Sequence, residues 1–278
     1  MRRTVMALWR RDMLMLLRSP VYVMYLVVPV AAAWLFETFI VDGDRWAHAF
    51  AVLLGGLFSV AMACTLPGIY VQVEERERHV PETLLRAGVP AWATVASKFA
   101  ASVCWGVALA ALSLLVLGVD VGPAGPLLAA LLPAVVTVSA ASVACGTLLR
   151  SQSSTSGPSA VIAAVLLLGA MAPMDRSLAM ISQFLPANLF VGRVMEAYTT
   201  WPPSIGGLPS AAVSVGWMAA ALWFLWWASR RFHARLASVV AGQPPEQQRE
   251  RDGAHDDPRG GDRDRQHGLG AEQRPLGQ

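Results

Sequence analysis

Lysine is nearly missing from this chain: Lys98 is the only one in 278 residues. Charge of either sign is thin as well, at 15% of residues, where an ordinary soluble domain carries about 25%. Cysteine is equally sparse. Cys64, Cys104 and Cys145 all fall inside apolar runs, which suits small buried or lipid-facing thiols rather than a disulfide framework. The signatures of several enzymes are absent too. There is no GxxxxGK(S/T) phosphate loop, and Lys98 sits in VASKFA with no glycine loop before it. Neither an HExxH metal signature nor a GxSxG nucleophile elbow occurs. The chain is therefore expected to bind no cofactor or metal of its own and not to be an enzyme. Arg2, Arg3, Arg10, Arg11, Asp12 and Arg18 break the segment before Pro20, so no cleavable signal peptide is expected.

What the chain does have is apolar length. Its hydrophobic fraction is 55%, and runs of the ~20 residues needed to cross a bilayer recur. They read as six spans, over residues 21–41, 49–73, 96–118, 126–149, 158–173 and 208–229. The expected fold class is an all-α polytopic membrane protein with six transmembrane helices. Basic residues orient it. Arg2, Arg3, Arg10, Arg11 and Arg18 precede the first span, and Arg76, Arg78, Arg86 and Lys98 follow the second. Arg150 follows the fourth, and Arg230, Arg231 and Arg235 follow the sixth. Loop 42–45 has one basic residue and loop 119–125 has none. Positive residues favour the cytoplasmic side, so both termini are expected there. Small residues, as in AAAW at 31–34, LLGG at 53–56 and the run 139–146, suit close helix packing. Ionisable groups avoid the span centres, which argues against a proton-coupled carrier.

Three other segments have their own character. RRTVMALWRRDMLMLLR places Arg3, Arg10, Arg11 and Arg18 within one helical arc of about 100°, with Val5, Trp9, Met13 and Leu16 largely opposite. Residues 1–19 are thus expected to form an amphipathic helix at the cytoplasmic interface, its arginines reaching membrane lipid phosphates. Between spans five and six, Asp175, Gln183, Pro186, Asn188, Arg193 and Glu196 interrupt patterns that also carry Phe184, Leu185, Leu189, Phe190 and Val194. One or two short external helices dipping into the membrane use both features better than an amphipathic loop does. Residues 242–278 have six Arg against eight Asp plus Glu and little apolar surface, so a disordered tail is expected after a body at 20–241. That body, with the N-terminal helix, carries sixteen basic residues against eleven acidic ones. Anionic lipid accounts for this excess without nucleic acid.

The join between spans two and three is EERERHVPETLLRAG, residues 74–88. Glu74 and Arg78, like Glu82 and Arg86, stand four apart and can share a helix face. Pro81 suits the start of a short helix and Gly88 its end, while Leu84 and Leu85 supply an apolar patch. Pro90 can start the next helix. The join reads as short rigid pieces rather than a slack loop.

ERERHVPETLLRAGVPAWATVASK resembles a pattern of the six-span permease subunits of ABC-2 type exporters, with Glu75, Glu77, Glu82, Leu84, Leu85, Pro90 and Lys98 at the telling places. Pro81-Glu82-Thr83 stands where the family usually has Gly-Thr. FLPANLFVGRVMEAY is also similar to the family's proline-containing segment before a helix. The resemblance implies a permease in a bacterial cytoplasmic membrane, working with a separate ATPase that binds ATP and Mg, and with a second permease subunit. It makes 74–88 a coupling segment, with Glu74, Glu75, Glu77, Glu82 and Arg86 as rim contacts for the ATPase and Leu84 and Leu85 as the anchor. Export of a hydrophobic or amphipathic compound, such as a drug, antibiotic, peptide or lipid-like molecule, is the leading expectation. Polysaccharide or polyol-phosphate export, a non-transporting assembly role and a lipid enzyme are the alternatives.

Overall fold

A computed structural model describes residues 2–39, 41, 44–199 and 207–241. Helix follows helix, with no strand among the described residues. The elements are α1 (Arg2–Arg18), α2 (Pro20–Phe39), α3 (Arg45–Thr65), α4 (Gln72–Glu77), α5 (Val80–Arg86) and α6 (Ala91–Val116). They continue with α7 (Val121–Leu148), α8 (Ser156–Ala170), α9 (Arg176–Ser182), α10 (Asn188–Tyr198) and α11 (Gly207–Ala241). Among the described residues, six stretches are long and apolar enough to cross a membrane, carried by α2, α3 with α4, α6, α7, α8 and α11. The protein is an all-α polytopic membrane protein. Residues 1–236 form one compact unit; of a second, 237–278, only the end of α11 is described. The tail expected to be disordered therefore lies outside the described residues.

Local chemistry sets the ends. Pro20 opens α2, where its missing N–H costs nothing. The Asp44 carboxylate caps α3 by accepting from the Trp46 amide at 3.0 Å, and Asp175 caps α9 through the Ser177 amide at 2.7 Å. The second span does not simply stop at residue 73. At Leu66–Val71 it widens into a π-helical turn and then runs on as α4. Pro67 explains the widening, since its ring and missing N–H cannot fit a regular turn.

Helix α3 is the central post. Val52, Leu53, Leu57, Val60 and Ala61 are fully buried among residues of α6, α7, α8 and α10. Small residues set the closest approaches. A Cβ added at Gly146 of α7 would lie 2.1 Å from the Gly68 carbonyl oxygen, so the two backbones touch. Some buried hydroxyls pair between helices: Ser59 and Ser113 are 2.6 Å apart, and Ser102 donates to the Cys64 carbonyl at 3.1 Å.

Between α8 and α11, where one or two short helices are expected, two are present, α9 and α10. The apolar face of α10 buries Phe190, Val191 and Val194 in the main core. Phe190 lies against Gly56, about 16 Å along α3 from Arg45 at 1.5 Å per residue. Asn188 holds the α9–α10 turn to α11, donating to the carbonyls of Gln183 (3.0 Å) and Ser210 (2.9 Å) and accepting from Ser214.

Candidate functional site

Glu74, Glu75, Arg76 and Glu77 are consecutive residues at the end of α4. At 3.6 residues per turn they sweep about 300° around the helix axis, so each reaches a different neighbour. The Glu74 carboxylate pairs with Arg78 at 2.7 Å and accepts the hydroxyl of Tyr22 in α2. Glu75 Oε1 is 3.0 Å from Lys98 Nζ of α6 and 2.7 Å from Arg11 Nη2 of α1. Arg76 Nη1 donates to the carbonyls of Thr147 (3.0 Å) and Leu149 (2.6 Å), the free acceptors at the end of α7. Its guanidinium also sits 5.5 Å from the ring centre of Phe232 in α11. Glu77 Oε1 accepts the Gln152 amide at 2.7 Å, in the turn leading to α8. One helical turn thus holds α1, α2, α6, α7, α11 and the approach to α8.

Behind Glu75 lies a buried charge cluster. Lys98 is 0% exposed, Asp12 2% and Glu75 4%. Lys98 Nζ is 2.8 Å from Asp12 Oδ1, Arg11 Nη2 is 2.9 Å from the same oxygen, and the Ser97 hydroxyl donates to Asp12 Oδ2 at 2.8 Å. Two cations face two carboxylates, so the cluster is neutral. Burying these ions is costly, and only mutual pairing with full hydrogen bonding offsets it. Sequence reasoning gives Asp12 no site role and Lys98 only a place in the family-like motif at 75–98. The signal was there: Leu8, Asp12 and Leu16 stand at i, i+4 and i+8, and all three are buried. A carboxylate on the inward stripe of α1 needs a cation, and the chain's one lysine supplies it.

The remaining residues singled out from the sequence divide by exposure. Glu75 is buried, and the carboxylates of Glu74, Glu75 and Glu77 have partners on neighbouring elements of this chain. Glu82 is half-buried with His79 Nδ1 at 4.0 Å. Leu84 and Leu85 are half-buried too, and Leu85 packs on the cluster of Ala91, Val95, Val143, Phe232 and Leu236. Arg86 is exposed, with Thr83, Ala87, Arg78 and His79. In α1, Trp9 and Arg11 are half-buried, Arg10 and Arg18 are exposed, and the side chain of Arg3 lies outside the described residues. The helix does not rest on lipid alone; it packs chiefly on α6.

Helix α5 itself is bounded tightly. His79 precedes it in the left-handed region at φ 54°, and Pro81 occupies its first turn. After Arg86, Gly88 takes φ 80°. The Val89 amide reaches back to the Leu84 carbonyl at 2.9 Å and the Gly88 amide to Leu85 at 3.0 Å. That pair of bonds is a Schellman stop, which a residue without a Cβ makes at little cost. The result is a short stiff helix held against the span bundle.

Among the described residues no group of three or more His, Cys, Asp or Glu is placed to hold a metal. The arrangement is that of a polytopic helical membrane protein with one stiff outer helix, α5, joined to a brace gripping the bundle. The chain belongs to a known family of such proteins, since the model for "ABC-2 family transporter protein" matches residues 43–231. It is a membrane permease subunit of that family. The match covers α3 to α10 and most of α11, while α1 and α2 precede it. A search of curated proteins found no match.

Proposed function

We propose that this chain is the membrane half of an exporter whose ATP hydrolysis takes place in a separate cytoplasmic subunit. The observation that carries the proposal is the connection of α5 to the bundle. A force on α5 passes through α4, whose four charged residues hold six neighbouring elements. Arg76 and Arg78 beside it and Arg86 within it favour a cytoplasmic α5, where a nucleotide-driven subunit could press on it. In this reading α5 offers Thr83, Arg86 and Ala87, with Arg78 and His79 beside it, as the docking face. Glu82 and Leu84 flank that face, Leu85 seats the helix, and Glu74, Glu75 and Glu77 pass the load inward. ATP and Mg bind the partner. A second permease subunit, identical or different, completes the pathway.

The cargo we favour is a hydrophobic or amphipathic compound moving outward. Supporting it are the span interiors, built from apolar, small and hydroxyl side chains such as Ser59, Ser113 and Ser139. The docking reading has a direct test. Arg86→Glu combined with Ala87→Glu changes exposed residues only, so membrane insertion and monodispersity should be unchanged. Capture of the co-expressed ATPase in mild detergent should fall about tenfold or more, the scale of one misplaced interfacial charge. Capture at the wild-type level by this variant would remove α5 from the docking surface.

A further inference from the structure

We propose that the joint between α1 and α2 binds a phospholipid with an anionic headgroup. Neighbouring residues of this joint line two different grooves. The first, of about 820 Å³, is lined by Arg10, Arg11, Arg18 and Arg78 together with Tyr22 and Glu74. The second, of about 580 Å³, is apolar and runs between α2 and α6, lined by residues that include Leu17, Val23, Val27, Trp34, Trp105 and Leu112. They adjoin along the chain: Leu17 lines the apolar groove and Arg18 the basic one, and Tyr22 and Val23 divide in the same way. The turn at Ser19 lies between.

Charge shows what the basic groove lacks. Arg10, Arg11, Arg18, Arg78 and Glu74 line it, and Asp12, Glu75 and Lys98 are buried nearby, in contact with Arg11 or with one another. Arg78 neutralises Glu74, and Arg11 with Lys98 neutralises the buried carboxylates. Arg10 and Arg18 are left exposed, with no carboxylate partner among the described residues. Two guanidinium groups at one groove match the oxygens of a phosphate. The apolar groove decides what carries that phosphate. From Val23 to Trp34 it follows α2 for about 16 Å, which is about half the ~30 Å hydrocarbon core of a bilayer. That is the depth of one leaflet. A headgroup at the arginines would lay an acyl chain along α2 and α6, so the occupant is a lipid of the leaflet nearest α1. Lipid bound there would press α1 onto α6, beside the Asp12–Lys98 pair. The proposal holds whatever the cargo or ATPase, and its readout is lipid retention rather than transport.

The test uses the full-length protein in mild detergent, with retained lipid counted by native mass spectrometry. Phosphatidylglycerol and phosphatidylcholine with identical acyl chains are compared. Wild type should retain phosphatidylglycerol preferentially, and Arg10→Gln with Arg18→Gln should weaken that retention about twenty-fivefold, about fivefold for each arginine at a membrane surface. Arg10→Lys with Arg18→Lys should keep most of it. Val27→Trp, which fills the apolar groove, should weaken retention of both lipids. Glycerol phosphate, the headgroup without chains, should fail to displace the lipid. Equal retention of the two lipids by wild type would overturn the proposal, as would unchanged retention in the Gln variant. Displacement by glycerol phosphate would overturn it too, by making the site one for soluble phosphates. Should the Gln variant not purify folded, the wild-type comparison decides by itself.

Discussion

Lys98→Met is expected to destabilise the permease by about 3–5 kcal/mol, the cost of removing one partner from a buried ion pair. Lys98 Nζ touches Asp12 Oδ1 at 2.8 Å and Glu75 Oε1 at 3.0 Å with no exposure to solvent. A methionine leaves Asp12 and Glu75 facing one remaining cation, Arg11. The cluster then carries a net negative charge away from water, and α1 loses its polar attachment to α6. Thermal unfolding in detergent should show a fall in Tm on the order of 10 °C. The sharper result is the double variant. Asp12→Asn with Lys98→Met restores neutrality, because Arg11 then balances Glu75 alone, and it should recover much of the lost stability. A double variant less stable than Lys98→Met alone would show that charge balance is not what holds this cluster.

Gly146→Ala should fail for a different reason, crowding. Its Cβ would lie 2.1 Å from the Gly68 carbonyl oxygen and 2.8 Å from the Gln72 side-chain amide. A side chain could swing away, but the Gly68 carbonyl belongs to the π-helical turn after α3. Relief requires α7 to move off the central post, and with it the Thr147 and Leu149 carbonyls that Arg76 grips. The expected cost is about 3 kcal/mol, the upper part of the usual overpacking range, read as a lower Tm and a lower folded yield. Gly125→Ala on the same helix is the control. Nothing lies within 4 Å of its added Cβ, so stability should hold or rise by up to about 1 kcal/mol from better helix propensity. Equal effects at Gly146 and Gly125 would mean that the α3–α7 approach is not tight.

The spans were legible because membrane burial imposes long apolar runs, and those runs sit in the sequence as contiguous letters. Their ends were harder. Helix α11 continues to Ala241, beyond an expected end at residue 229, because Trp226 and Trp227 stack under Arg230 and Arg231 at 4.1 and 4.3 Å. Charge there ends the apolar run without ending the helix. Likewise α7 begins at Val121, ahead of the expected residue 126: Pro123, in its first turn, has no intrahelical N–H bond to lose, while Pro126 lies inside the helix. Helix α5 was legible residue by residue, through Pro81 and Gly88, because both act on their own backbone. The roles of Glu74 to Glu77 were not. Glutamates beside a span read as wet surface until the partners arrive from residues 11, 22, 98 and 152, and no local pattern announces contacts so distant in sequence. Asp12 is the exception, a charge on the buried stripe of α1 that a helical wheel exposes.

The central claim is that this permease takes its motion from a separate ATPase docked on α5. The most direct measurement is purification of the full-length chain in mild detergent from its native membrane, with its partners identified and counted. The account predicts an ATPase subunit in equal number with the permease, lost selectively from the Arg86→Glu/Ala87→Glu variant while the variant remains folded. A folded wild-type chain that purifies with no nucleotide-binding subunit, under conditions that keep its lipids bound, would contradict it.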